Sequence, residues 1–261
     1  MSALDDLFAR CRDEGRAALI GYLPAGFPSY DLSVEAMTAM VDAGVDAVEV
    51  GMPYSDPLME GPVIAAAHQA SLEAGTRQAD VLRAVAAVAA TGAPTLVMGY
   101  WNPVHRYGFR RWAQALRDAG GVGAITPDLI PEEAPEWLEA CRDLDLDPIF
   151  LVAPSSTDER IAVVGSTNRG FVYAAAVMGV TGARAQIGAG ARDLVARVRE
   201  QTDLPVGVGL GVSNGEQAAQ VAGFADAVVV GSALVSALQE GGVSGVRRLA
   251  AELADGVRAP R

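Results

Sequence analysis

Eight short apolar runs, each followed by a turn-rich stretch and then an amphipathic one, constrain this chain more than any other feature. They fall near 17–23, 47–50, 95–100, 123–126, 148–152, 171–174, 205–208 and 227–230. Runs without polar alternation suit parallel strands buried on both faces. The segments between them predict helices near 31–43, 62–73, 78–91, 108–119, 131–142, 157–164, 190–201 and 215–222, and helix again to about 257. An extra helix is predicted over 3–14, where Leu4, Leu7, Phe8 and Cys11 share one side. Eight strand-then-helix units point to a (β/α)₈ barrel, a TIM barrel, as a single domain over 1–261. An open doubly wound sheet fits less well: no GxGxxG follows the first run, and no composition break marks a second domain.

In such a barrel the chemistry gathers at the C-terminal ends of the strands. The second run, Ala47-Val48-Glu49-Val50, carries an acid inside an apolar strand. Burying a carboxylate is costly unless it is paired or used chemically. The loop that follows is stiffened by Pro53 and Pro57, cornered by Gly51 and Gly61, and carries two more acids, Asp56 and Glu60. Burial would raise the pKa of Glu49 toward a useful range for acid–base work. Its bland reading is a structural glutamate bonded to a neighbouring strand; loop acids such as Asp56 and Glu60 are commonly just solvated.

Composition removes several alternatives. All 20 basic side chains are arginine, so no lysine can form a Schiff base. The two histidines, His68 and His105, and the two cysteines, Cys11 and Cys141, lack metal-ligand spacing, so no metal is expected and each histidine reads as a surface or packing residue. A net charge of −12 disfavours nucleic acid and anionic membrane as partners. The first segment is too charged for a signal peptide and no apolar run reaches membrane-spanning length, which suggests a cytoplasmic protein.

Glycine-bearing segments cluster late in the chain: Gly179-Val180-Thr181-Gly182, Gly209-Leu210-Gly211-Val212-Ser213 and Gly231-Ser232. The last two follow the seventh and eighth strands, where barrels hold phosphate on backbone N–H groups and a helix N-terminus.

The run Val48-Glu49-Val50-Gly51-Met52-Pro53-Tyr54-Ser55-Asp56-Pro57 resembles the signature of the tryptophan synthase α subunit family. So do Leu19 to Pro28, Pro127-Asp128-Leu129-Ile130-Pro131, and Phe171-Val172-Tyr173 leading to Gly179-Val180-Thr181-Gly182. The likeness covers almost the whole chain, and the lysine-free, alanine-rich composition is similar to the actinobacterial branch. The resemblance implies a lyase that cleaves indole-3-glycerol phosphate to indole and glyceraldehyde 3-phosphate, without metal or cofactor in this chain. It implies Glu49 as the general acid at indole C3, Glu60 as the second carboxylate on the indole N–H, and Tyr173 as support for Glu49. Tyr22 and Leu210 would line the indole pocket; Gly182, Gly211, Gly231 and Ser232 would hold phosphate; Thr181 would lie on a loop closing over the substrate. A pyridoxal-phosphate β subunit would complete an αββα complex, met by Pro53 and Asp56. One position departs from the family, whose pattern here is Asp-Gly-Pro against Glu60-Gly61-Pro62. The longer acid predicts a slower lyase and leaves open a catalytically impaired barrel serving as allosteric partner, a stand-alone lyase, or a different sugar-phosphate barrel such as an isomerase.

Overall fold

The computed structural model describes residues 2–176, 189–209 and 211–259. Its strands are β1 (Ala18–Pro24), β2 (Ala47–Gly51), β3 (Thr95–Met98), β4 (Gly123–Ile125), β5 (Asp147–Ile149), β6 (Leu151–Val152), β7 (Val172–Ala175), β8 (Val206–Gly209) and β9 (Ala227–Val230). All pair in parallel, in the order β5-β4-β3-β2-β1-β9-β8-β7-β6. The two ends of that order are consecutive in the chain, joined through Phe150. The predicted fifth strand is thus one barrel strand in two pieces, and the chain itself closes the barrel.

The break at Phe150 has a local cause. Its N–H donates to Asn168 Oδ1 at 3.1 Å, and its carbonyl accepts from Asn168 Nδ2 at 3.0 Å. A side-chain amide takes the place of a strand neighbour there, so no buried backbone group is left unpaired.

Inward-facing residues, including Ile20, Ala47, Leu96, Ile125, Ile149, Phe171 and Val229, form one buried cluster inside the barrel. Helix α1 (Ala3–Asp13) closes its lower end, with Leu4, Leu7, Phe8 and Cys11 in the same cluster and Phe8 packed 5.8 Å from Phe171. Ser2 and Asp5 form a capping box that starts this helix, satisfying N–H groups the helix cannot. The outward-facing strand residues pack under α2 (Tyr30–Asp42), α3 (Pro62–Glu73), α4 (Gln78–Ala89) and the remaining helices as a second, larger core.

Two predicted helices differ from expectation. The segment expected at 108–119 is preceded by a further helix, α5 (Trp101–Tyr107), before α6 (Phe109–Asp118); Gly108, at φ +92°, makes the corner between them. The helix expected at 131–142 begins as a 3₁₀ turn (Pro131–Glu133) and restarts as α7 (Pro135–Asp143), each piece opening on a proline that suits a first helical turn. Beyond these lie α8 (Asp158–Thr167), α9 (Ala189–Gln201), α10 (Gly215–Ala222) and α11 (Ser232–Arg258), the last kinked at Gly242. No helix among the described residues is long and apolar enough to cross a membrane.

Candidate active site

Parallel register places Tyr22 of β1 beside Glu49 of β2. Both point inward, on the same side of the barrel wall as Ile20 and Ala47. Glu49 is fully buried, and neither carboxylate oxygen has a hydrogen-bond partner among the described residues. The reading of Glu49 as a structural strand-bonding residue is therefore overturned. Burial alone pushes its pKa up to about 8, so the carboxyl is mostly protonated at neutral pH.

Tyr173 of β7 faces the same interior. Burial, with the carboxylates of Glu49 and Glu60 nearby, raises its hydroxyl well above the usual tyrosine range. Tyr22 is shifted the same way by burial and by Glu60 and Glu49. Room for the two rings is made by glycines on adjoining strands. A Cβ on Gly51 would collide with the Tyr22 hydroxyl, and one on Gly209 would lie 2.6 Å from the Tyr173 hydroxyl. Gly231 gives way in turn, its Cβ direction ending 3.2 Å from Tyr22 Cδ1.

Glu60 is half-buried at the end of the loop from β2 to α3. Its carboxylate accepts from the Tyr100 hydroxyl, which itself accepts from the Met59 N–H at 2.8 Å. Burial raises the Glu60 pKa, and the Tyr100 bond works against that rise. The Tyr100 ring stacks on Tyr54 at 4.9 Å. Asp128, after β4, caps the N-terminus of α5 by accepting from the Trp101 N–H at 2.8 Å and adds a third carboxylate on this side. The loop is thus fastened to the end of β3, and Glu60 lies near enough to Tyr22 and Tyr173 to act on both hydroxyls together with Glu49.

Ser232 is the first residue of α11, with Gly231 before it, directly after β9. Gly211 follows β8 at φ +69°, a conformation that favours glycine. Both lie on the same rim, as the phosphate reading requires. Thr181, Gly182 and Leu210 lie outside the described residues. Of the two partner-facing residues, Asp56 is exposed and accepts from Ser55 Oγ at 2.6 Å, whereas Pro53 is buried within this chain.

Tyr100 and His68 were not identified as site residues from sequence. Tyr100 ends a predicted strand on the catalytic rim, which was a usable signal. His68 is buried on α3, bonded to Tyr22 and to the Tyr54 backbone, rather than a simple surface or packing residue. Only the contact between α3 and β1 reveals this.

Fold and site together define a barrel of the (β/α)₈ enzyme class, with Glu49 buried inside it, Glu60 on the loop after β2, and a helix start at Gly231-Ser232 on the far side of β1. The profile of the family described as "Tryptophan synthase alpha chain" matches residues 8–257. The tryptophan synthase alpha chain of Mycobacterium intracellulare is 58% identical over 257 residues, covering 98% of this chain and 95% of that one. That of Acidothermus cellulolyticus is 56% identical over 261 residues, covering 99% and 98%. A structure of Mycobacterium tuberculosis tryptophan synthase superposes with a TM-score of 0.93 at 57% identity, covering 98% of both chains. The chain belongs to the tryptophan synthase alpha chain family, and its activity is that family's lyase reaction on indole-3-glycerol phosphate.

Proposed function

We propose that this chain performs the indole-releasing cleavage with Glu49 as proton donor and acceptor and Glu60 as the anchor of the indole N–H. The observation that carries the assignment is Glu49: a fully buried carboxyl with no hydrogen-bond partner among the described residues, on an inward-facing strand position, is poised to exchange a proton with a bound molecule. Protonated Glu49 delivers its proton to indole C3. Positive charge develops on the ring nitrogen, and the Glu60 carboxylate, held by Tyr100, stabilises it through the N–H. The bond between C3 and the side-chain carbon then breaks. Its electron pair returns to the ring, the neighbouring hydroxyl becomes the aldehyde carbonyl, and the Glu49 carboxylate takes the hydroxyl proton. Indole and glyceraldehyde 3-phosphate result, and Glu49 ends protonated as it began.

Tyr173 packs beside Glu49 and shields it from water. Tyr22 and Leu210 line the indole end; Gly182, Gly211, Gly231 and Ser232 receive the phosphate, with the α11 N-terminus offering unpaired N–H groups. The whole of residues 1–261 serves as one domain, in the cytoplasm, with no cofactor of its own. The solved relatives include an aminoacrylate-bound form of M. tuberculosis tryptophan synthase. That supports a partner β subunit, carrying pyridoxal phosphate, that meets this chain at the loop bearing Pro53 and Asp56.

The test is indole release from indole-3-glycerol phosphate, with and without added β subunit. Glu49→Gln should lower it by on the order of a hundred- to ten-thousandfold with the fold intact by circular dichroism. A variant retaining near-full turnover would sink the assignment.

A further inference from the structure

We propose that His68 is a positioning residue that aims the Tyr22 hydroxyl into the cavity and ties it to the loop carrying Glu60. The inference rests on the lyase reading above and extends it to a residue outside the acid pair.

His68 lies on α3 with only 2% of its surface exposed. A polar ring so buried is costly unless its nitrogens are bonded. Both are. Nε2 lies 2.7 Å from the Tyr22 hydroxyl, and Nδ1 faces the Tyr54 N–H at 3.4 Å. A backbone N–H can only donate, so Nδ1 accepts. In the neutral ring the proton then sits on Nε2 and is donated to the Tyr22 oxygen. Burial lowers the His68 pKa to about 4, which keeps the ring neutral at physiological pH.

The Tyr22 oxygen is therefore an acceptor toward His68, and its own proton is free to point elsewhere. Tyr22 sits on β1, between β2, which carries Glu49, and β9, which Gly231 follows. Glu49 marks the reacting end of the substrate and Gly231-Ser232 the phosphate end. The three-carbon chain between them crosses β1, so Tyr22, whose ring lines the indole end, turns its hydroxyl toward that chain and can donate to one of its oxygens. An apolar ring at this position could not do so.

The second arm reaches the other acid. Tyr54, bonded through its backbone to His68, stacks its ring on Tyr100, and Tyr100 holds Glu60 and the Met59 N–H. One imidazole thus links the hydroxyl at the substrate chain to the loop that places Glu60.

The chain has two histidines, so ¹⁵N-histidine spectra of the whole protein, with a His105→Asn variant for assignment, report His68 directly. The expected result is a neutral ring protonated on Nε2 across the neutral pH range; a proton on Nδ1, or charging near the ordinary histidine pKa, overturns the proposal. In steady-state kinetics Tyr22→Phe and His68→Leu should each lower kcat by about tenfold, the cost of one lost hydrogen bond. The double variant should be no worse than His68→Leu alone, since a Tyr22 hydroxyl that has lost the imidazole is no longer aimed and its removal costs nothing more. His68→Gln, whose amide reaches the Nε2 position, should recover most of kcat, and His68→Asn, which reaches only the Nδ1 position, should not. Losses that multiply in the double variant, or equal behaviour of the glutamine and asparagine variants, refute the mechanism. The spectra do not depend on turnover, so a wild-type chain that releases no indole would refute the lyase reading while leaving the tautomer result to stand by itself.

Discussion

Glu49 makes the folded chain less stable in return for a usable proton. Its carboxyl titrates near 8 when buried against 4.5 when exposed. Across that interval the folded state holds a proton that the unfolded state has lost. Stability therefore falls as pH rises from about 4.5 to about 8, and this contribution is constant above. The full effect is on the order of several kcal/mol. Glu49→Gln removes the titration, so the variant should gain stability over the wild type progressively through this window, read as urea midpoints at acidic and alkaline pH. A difference that does not change with pH would show that Glu49 is ionised or solvated in the fold. Burial shifts Glu60 in the same direction, but the Tyr100 hydroxyl donates to its carboxylate and works against that rise. An aspartate here, one methylene shorter, would reach less far toward Tyr100. Glu60→Asp should free the carboxylate for the indole N–H and raise kcat more than it changes KM, since charge is retained. Misplacement by about an ångström can cost on the order of a hundredfold, which bounds the gain. Equal or lower kcat would mean the cavity already suits the longer acid.

At the scale of elements, the site depends on where strands carry no side chain. Gly209 leaves room for the Tyr173 hydroxyl on the neighbouring strand. Gly209→Ala should push that ring toward Glu49 and the substrate, lowering kcat by about tenfold or more, while circular dichroism stays native; an unchanged kcat would show that Tyr173 moves freely. This pairing also marks what sequence could and could not show. Glu49 was legible because a carboxylate inside an apolar strand violates the local pattern. The barrel was legible because eight apolar runs alternate with helical ones. The break at Phe150 was not, since it depends on Asn168, eighteen residues on, replacing a strand neighbour. Nor was His68: its partners come from β1 and from a loop that precedes its own helix, and only packing brings them to it. Tyr100 lay in between, at a rim position that the pattern located but whose bond to Glu60 required the folded loop.

Taken as a whole, the molecule holds one side of the loop bearing Glu60 by hydrogen bonds and exposes the other. The inner side is fixed by the Tyr54 N–H on His68 and by Met59 and Glu60 on Tyr100. The outer side presents Leu58 and Met59, 88% and 55% exposed, next to Asp56. Large apolar side chains held out on a proline-stiffened loop suit burial by another protein better than contact with water. In the proposed α–β assembly this face meets the β subunit, and the same few residues that dock also hold Glu60. Docking and the acid site are then connected through the Met59 backbone and Tyr100, without a longer path. Burying one leucine is worth about 1.5–3 kcal/mol, so Leu58→Asp should weaken binding of the β subunit by roughly ten- to a hundredfold. Indole release by the isolated chain should change little, because Leu58 points away from the cavity. Titrating β subunit into wild type and variant while following indole release separates the two effects. A variant with an unshifted midpoint would place the partner surface elsewhere on the rim.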